Sequence, residues 1–245
     1  PIAGYATRHG VVVIDSRAVE LTELDITSVR HAIRLSNVEQ LRIADSHLHG
    51  VREDGIKASD IRKVLIEDNL IESFFPFRGG DNKRLHDHAD MMQIRSVNAD
   101  VSTSDITIRG NVLRQGDGEA THGILLGRTD DINEDGALSD NAPRNVVIAD
   151  NVINTSHRNA LYMTDATNVV IEHNMILQAP ERATSISPPR IVLNVKPSTL
   201  DGGISWDHAP KGVLVRNNVT MLDWEPGAVG ATFERDLFRD FGVHE

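Results

Sequence analysis

Apolar and polar residues alternate along most of this chain in short runs, and one run recurs. Its form is apolar, any, apolar, two variable residues, Asn, then an apolar residue. It reads Val64-Leu-Ile66-Glu-Asp-Asn69-Leu-Ile71, Ile106-Thr-Ile108-Arg-Gly-Asn111-Val-Leu113 and Val146-Val-Ile148-Ala-Asp-Asn151-Val-Ile153. Two further copies are Val169-Val-Ile171-Glu-His-Asn174-Met-Ile176 and Val213-Leu-Val215-Arg-Asn-Asn218-Val-Thr220, and Leu41-Arg-Ile43-Ala-Asp-Ser46-His-Leu48 is a degenerate one. Ser46 and Asn69, like Asn151 and Asn174, are 23 residues apart; the other intervals are 42, 40 and 44. A repeat of about 22–25 residues with occasional insertions predicts stacked coils of β-strand. Alternation turns every second side chain inward, so Ile and Val stack coil upon coil. The recurring Asn falls where strands turn, where it tolerates left-handed backbone and bonds its neighbour above.

Each coil carries a second strand: Asp54-Gly-Ile56-Lys-Ala-Ser59, Asp90-Met-Met92-Gln-Ile94, His122-Gly-Ile124-Leu-Leu126, Asn159-Ala-Leu161-Tyr-Met163 and Arg190-Ile-Val-Leu193-Asn-Val195. Their β-branched enrichment favours strand over helix, and Gly and Pro punctuate the connections. A leucine-rich solenoid is excluded, because no LxxLxLxxN run occurs. The expected fold is therefore all-β, a single-domain right-handed parallel β-helix. Residues 1–36 form opening coils, 37–222 regular coils with inserted loops, and 223–245 a C-terminal cap of helix-compatible pattern over the open edge.

Composition narrows the chemistry. The 245 residues carry a formal charge of −11, with 36 acidic against 25 Lys and Arg, which argues against a nucleic-acid partner. No apolar run reaches the roughly 18–20 residues of a membrane span, so no membrane insertion is expected. Cysteine is absent, so disulfides play no part.

Three segments carry a family likeness. His88-Ala-Asp90-Met-Met-Gln93-Ile94 resembles an HxDxxQ strand of bacterial secreted β-helix proteins. The segments from Gln115 through His122 to Leu126, and from Asn168 through Asn174 to Leu177, resemble neighbouring coils of the same group. The wider group is the pectate-lyase-like superfamily, with its pectate and alginate lyases, mannuronan epimerases, polygalacturonases and phage tailspikes. The likeness covers roughly residues 37–220. It implies a secreted or periplasmic protein acting on an acidic polysaccharide, monomeric if an enzyme and trimeric if spike-like.

With Ile56, Met92, Ile124 and Leu161 inward, alternation puts Lys57, Met91, Gln93, Leu125 and Tyr162 outward. Strand ends add His88, Asp90, Arg95, His122, Arg128, His157 and Arg158. β-Elimination from a uronate needs a cation for the carboxylate, a base for the C5 proton and an acid for the leaving oxygen. Tyr162, Lys57, His88 and His122 are candidate proton-transfer groups beside Asp90. Gln93, Arg95, Arg128, Arg158 and Arg84 are candidate substrate contacts. Hydrolysis would instead use two carboxylic acids, for which Asp54 and Asp90 hold equivalent positions on adjacent coils. A C5-epimerase shares the proton-abstraction step, and a non-catalytic adhesin or tailspike needs none of these groups.

Asp131-Ile-Asn133-Glu-Asp135-Gly136 resembles the start of an EF-hand-type Ca²⁺ loop, with Asp140 in place of the missing acid at Ala142. Ca²⁺ is the one expected cofactor. The histidines do not spell a zinc motif: HExxH and cysteine pairs are absent. There is no G-x-S-x-G elbow.

Overall fold

A computed structural model describes residues 7–79, 86–98, 100–128, 141–179, 188–194, 198–200, 203–205, 211–220, 231–234 and 237–238. Every described element is a strand. The first turn of chain holds β1 (Val11–Thr22) and β2 (Asp25–Thr27), and the second β3 (Ile33–Ala44) and β4 (His47–Val51). The third to sixth turns have three strands each: β5 (Ile56–Ser59), β6 (Arg62–Glu67) and β7 (Leu70–Phe74), then β8 (Asp90–Ser96), β9 (Ser104–Arg109) and β10 (Val112–Arg114). β11 (His122–Arg128), β12 (Arg144–Ala149) and β13 (Val152–Asn154) follow, then β14 (Asn159–Thr164), β15 (Thr167–Glu172) and β16 (Met175–Leu177). The seventh turn has β17 (Arg190–Asn194), an antiparallel pair β18 (Ser198–Leu200) and β19 (Gly203–Ser205), then β20 (Lys211–Arg216) and β21 (Val219–Thr220). β22 (Ala231–Glu234) and β23 (Leu237–Phe238) make the last.

Apart from the β18–β19 pair, each strand pairs in parallel with its counterpart one turn away, which gives an all-β, solenoid-like stack of parallel sheets. The long β3 explains how the sheets divide. Its first half pairs with β5 and its second half with β6, so one strand becomes two in the next turn. The break falls at Asn37–Val38, where Asn37 has left-handed backbone (φ 52°). Residues 231–234 and 237–238 pair with β20 and β21 and add one strand to each of the two sheets.

The interior is built from columns. Ile33, Ile56, Met92, Ile124, Leu161 and Ile191 stand in register across successive turns, as do Ile43, Ile66, Ile108, Ile148, Ile171 and Val215. All are at most 2% exposed. Each such side chain contributes about 1.5–3 kcal/mol relative to leaving it in water.

The repeated Asn forms a second column. Asn69 Nδ2 donates to Asn111 Oδ1 (2.9 Å), Asn111 to Asn151 (3.0 Å), Asn151 to Asn174 (2.9 Å) and Asn174 to Asn218 (3.0 Å). The neighbour-to-neighbour bond expected from sequence is thus present. The left-handed residue, however, is the one before the Asn: Asp68, Gly110, Asp150, His173 and Asn217 have φ of 53–65°. The Asn side chain is needed inside, where Nδ2 also satisfies carbonyls such as Ile108 O at 3.0 Å.

Candidate active site

The sheet β5–β8–β11–β14 carries most of the sequence-derived candidates. Lys57, Gln93, Leu125 and Tyr162 stand in one row across it, as alternation requires. The row is less open than expected: Gln93 and Leu125 are buried, Lys57 and Tyr162 half-buried. Met91, expected in the outward row, is fully buried and belongs to the core cluster. The backbones approach closely there: a Cβ on Gly55 would meet Met91 O at 2.5 Å.

Asp90 is the centre of the site. It stands opposite His122 in the β8–β11 register and is fully buried. His88 Nδ1 lies 3.1 Å from its Oδ2, and Gln93 Nε2 donates to the same oxygen at 2.6 Å. His122 Nδ1 lies 3.1 Å from Oδ1, out of line for a well-formed hydrogen bond, and neither of these two buried atoms has an aligned partner. Burial alone would raise the proton affinity of Asp90, but the contacts with His122 and His88 outweigh it and hold the carboxyl well below the usual carboxylate range.

Three imidazoles cluster here, two of them against this carboxylate. The His88 and His122 rings meet edge-on at 4.6 Å, and those of His122 and His157 lie 4.1 Å apart. The Tyr162 ring is 6.4 Å from that of His122. Their proton affinities diverge. The hydrogen bond to Asp90 raises that of His88 against the effect of burial. Burial and the adjacent His122 push His157 down to about 4. His157 Nδ1 accepts the Asn159 N–H at 3.1 Å, so the ring is neutral with its proton on Nε2. The set therefore offers one imidazole favoured as acid and one held neutral, with the His122 ring packed against both.

Asp54 lies directly beneath. It is fully buried, accepts the Asp90 N–H at 3.1 Å, and lies 3.1 Å from Lys57 Nζ. His31, one turn below, accepts the Asp54 N–H on Nδ1 at 3.2 Å, extending the polar column.

The other candidates separate. Arg158 is exposed beside His157. Arg95 is half-buried, opposite Ser59 and Gly127. Arg128, expected to clamp a substrate carboxylate, is buried with its Nε 3.5 Å from Asp165 Oδ2, which directs its charge into the protein. Gln93, a candidate substrate contact, is buried and donates to Asp90. Arg84 and the proposed Ca²⁺ ligands Asp131, Asn133, Asp135 and Asp140 lie outside the described residues.

The sequence placed His157 at a strand end with Asp90 and His122 but gave it no role, and the structure stacks its ring on His122. The signal was the two-residue overhang before β14, which matches the overhang before β8 that holds His88. His88, Asp90 and His122 also offer donor atoms within 4.8 Å of one another, a set able to hold a metal ion. A similar grouping, Asp25 with His47 and His49, lies on a different sheet. No protein-family profile matches the chain, and no curated protein matches it.

Proposed function

We propose that the chain is a right-handed parallel β-helix of the pectate-lyase-like kind, and that it cleaves an acidic, uronate-containing polysaccharide by β-elimination. The observation that carries this reading is that His88 and His122 meet on the buried carboxylate of Asp90, with His157 and Tyr162 beside the His122 ring. A purely structural stack does not require three imidazoles to cluster beside a buried carboxylate.

In this mechanism Asp90 is a positioning residue. It faces His122 Nδ1, which leaves Nε2 to take the C5 proton. The C5–H electron pair forms the C4=C5 double bond as the C4–O bond breaks. His88, kept protonated by Asp90, gives its proton to the leaving oxygen. The negative carboxylate stabilises each imidazolium in turn. The neutral His157 has an Nε2–H to hold a substrate oxygen, and Tyr162 is the alternative proton donor on the same row. Lys57 and Arg158 supply positive charge for the uronate carboxylates.

Hydrolysis by paired carboxylic acids is disfavoured. Asp54 and Asp90 are both fully buried and engaged, so neither is presented to a glycosidic bond.

The deciding experiment incubates the protein with alginate and with pectate and follows the ultraviolet absorbance of the unsaturated uronate product. A rise that disappears in His122→Ala, with folding intact, supports the reading. Exchange of the C5 hydrogen with solvent deuterium, without chain cleavage, would transfer the same residues to an epimerase. Glycan binding without either reaction would replace this reading with that of an adhesin.

A further inference from the structure

We propose that Asp25, His47 and His49 form a binding site for a divalent transition-metal ion of the zinc or copper class. The site is independent of the Asp90 cluster and of the polysaccharide reading. It lies on the outer side of the β2–β4–β7 sheet. His47 and His49 are alternate residues of β4, and the fully buried Leu48 between them anchors the strand and turns both imidazoles outward. Asp25 stands directly opposite His47 on β2, and Glu72 opposite His49 on β7.

The side chains converge across these rungs. The two imidazole rings stack at 4.1 Å with planes 22° apart. His49 Nε2 lies 2.9 Å from Asp25 Oδ1, and His47 Nε2 lies 2.9 Å from Glu72 Oε1. One donor atom from each of Asp25, His47 and His49 falls within 4.8 Å of the others. Two imidazole nitrogens and one carboxylate oxygen are a donor set that suits first-row divalent ions, with remaining positions open to water. Glu72 is the outer partner: its carboxylate is shared with Arg114, which leaves it able to orient His47 rather than to ligate.

An ion here would tie β2 to β4, fastening the first turn to the second. β2 has three residues and its one strand partner among the described residues is β4, so such a clip acts where the stack has few other bonds.

The test uses untagged, chelator-stripped protein titrated with Zn²⁺ by calorimetry and with Cu²⁺ by electron paramagnetic resonance. His88→Ala/His122→Ala removes the other donor set and must still bind, with nitrogen splitting from two imidazoles in the Cu²⁺ spectrum. His47→Ala/His49→Ala must lose that site, and Glu72→Gln must weaken it roughly tenfold. Zn²⁺ must also raise the melting temperature of His88→Ala/His122→Ala, and must not raise it once His47→Ala/His49→Ala is added to that variant. Circular dichroism checks that each variant is folded, and Asp25→Asn, which leaves both imidazoles in place, must bind more weakly than the wild type. Equal binding by His47→Ala/His49→Ala and the wild type would overturn the proposal. So would no binding by His88→Ala/His122→Ala.

Discussion

At the scale of single residues, buried polar groups are arranged so that one side chain answers several backbone demands. Asn151 is the clearest case. Its Nδ2 serves Ile108 O and Asn174 Oδ1, and its Oδ1 accepts from both the backbone and the side chain of Asn111. Asn151→Ala is expected to cost about 3 kcal/mol, because it strands several buried groups at once. Denaturant unfolding would measure it, and a loss near zero would show that water replaces the amide.

The imidazoles at Asp90 make a second residue-scale prediction. Folding moves His157 from the ordinary 6.5 down to about 4. The fold thus favours the neutral ring, a contribution complete above 6.5 and lost as pH falls toward 4. His88 has the opposite sign: its contribution is present below 6.5 and fades as pH rises through its raised value. Asp90 contributes above the ordinary 3.8 and loses that only in stronger acid. Unfolding midpoints of the wild type should therefore fall between 6.5 and 4, and His157→Gln should flatten that decline. Parallel curves for the two proteins would contradict the assignment.

These residues also mark what was legible in the sequence. The period of the Asn repeat was readable because a corner must recur at each turn, and Lys57, Gln93, Leu125 and Tyr162 follow from alternation alone. Burial of the outward row was not readable, since alternation fixes direction and says nothing of what packs on top. Met91 is buried for that reason, whereas Arg128 alternates with Ile124 and Leu126 and falls on their side of the strand. His157 was legible as a strand-end residue, but its stacking on His122 was not, because register between turns depends on insertions whose lengths give no hint of where pairing resumes.

At the scale of the element, glycine decides how closely strands approach beside the site. A Cβ on Gly123 in β11 would meet Ala160 O at 2.1 Å and Ile153 Cγ2 at 2.9 Å, backbone and core of neighbouring strands. Neither can move without parting β11 from β14. Gly123→Ala is expected to lower stability by roughly 1–3 kcal/mol or more, by overpacking. Because the residue follows His122 directly, it should also displace the imidazole from Asp90. A thermal melt with an activity assay checks both effects, and a fully active, equally stable variant would mean that β14 yields.

At the scale of the whole molecule, each turn touches chiefly the turn before and the turn after, as in other stacked architectures. Stability should then be graded along the stack. Amide hydrogen exchange is expected to be slowest in β6, β9 and β12, which are paired on both edges. It should be faster in β1 and in β22, each paired on one described edge. Uniform protection from end to end would indicate a single cooperative unit instead.

The Asn column carries one more consequence. Neighbours in it are one hydrogen bond apart in space whether 23, 40, 42 or 44 residues separate them along the chain. Contour length and axial position are thus uncoupled. A segment looped out between two amides changes what is displayed at that level and leaves the level itself where it was, at an entropic cost that grows only slowly with loop length. The molecule works as a ruler whose graduations are amides, and new surface can be added at any mark without moving the others.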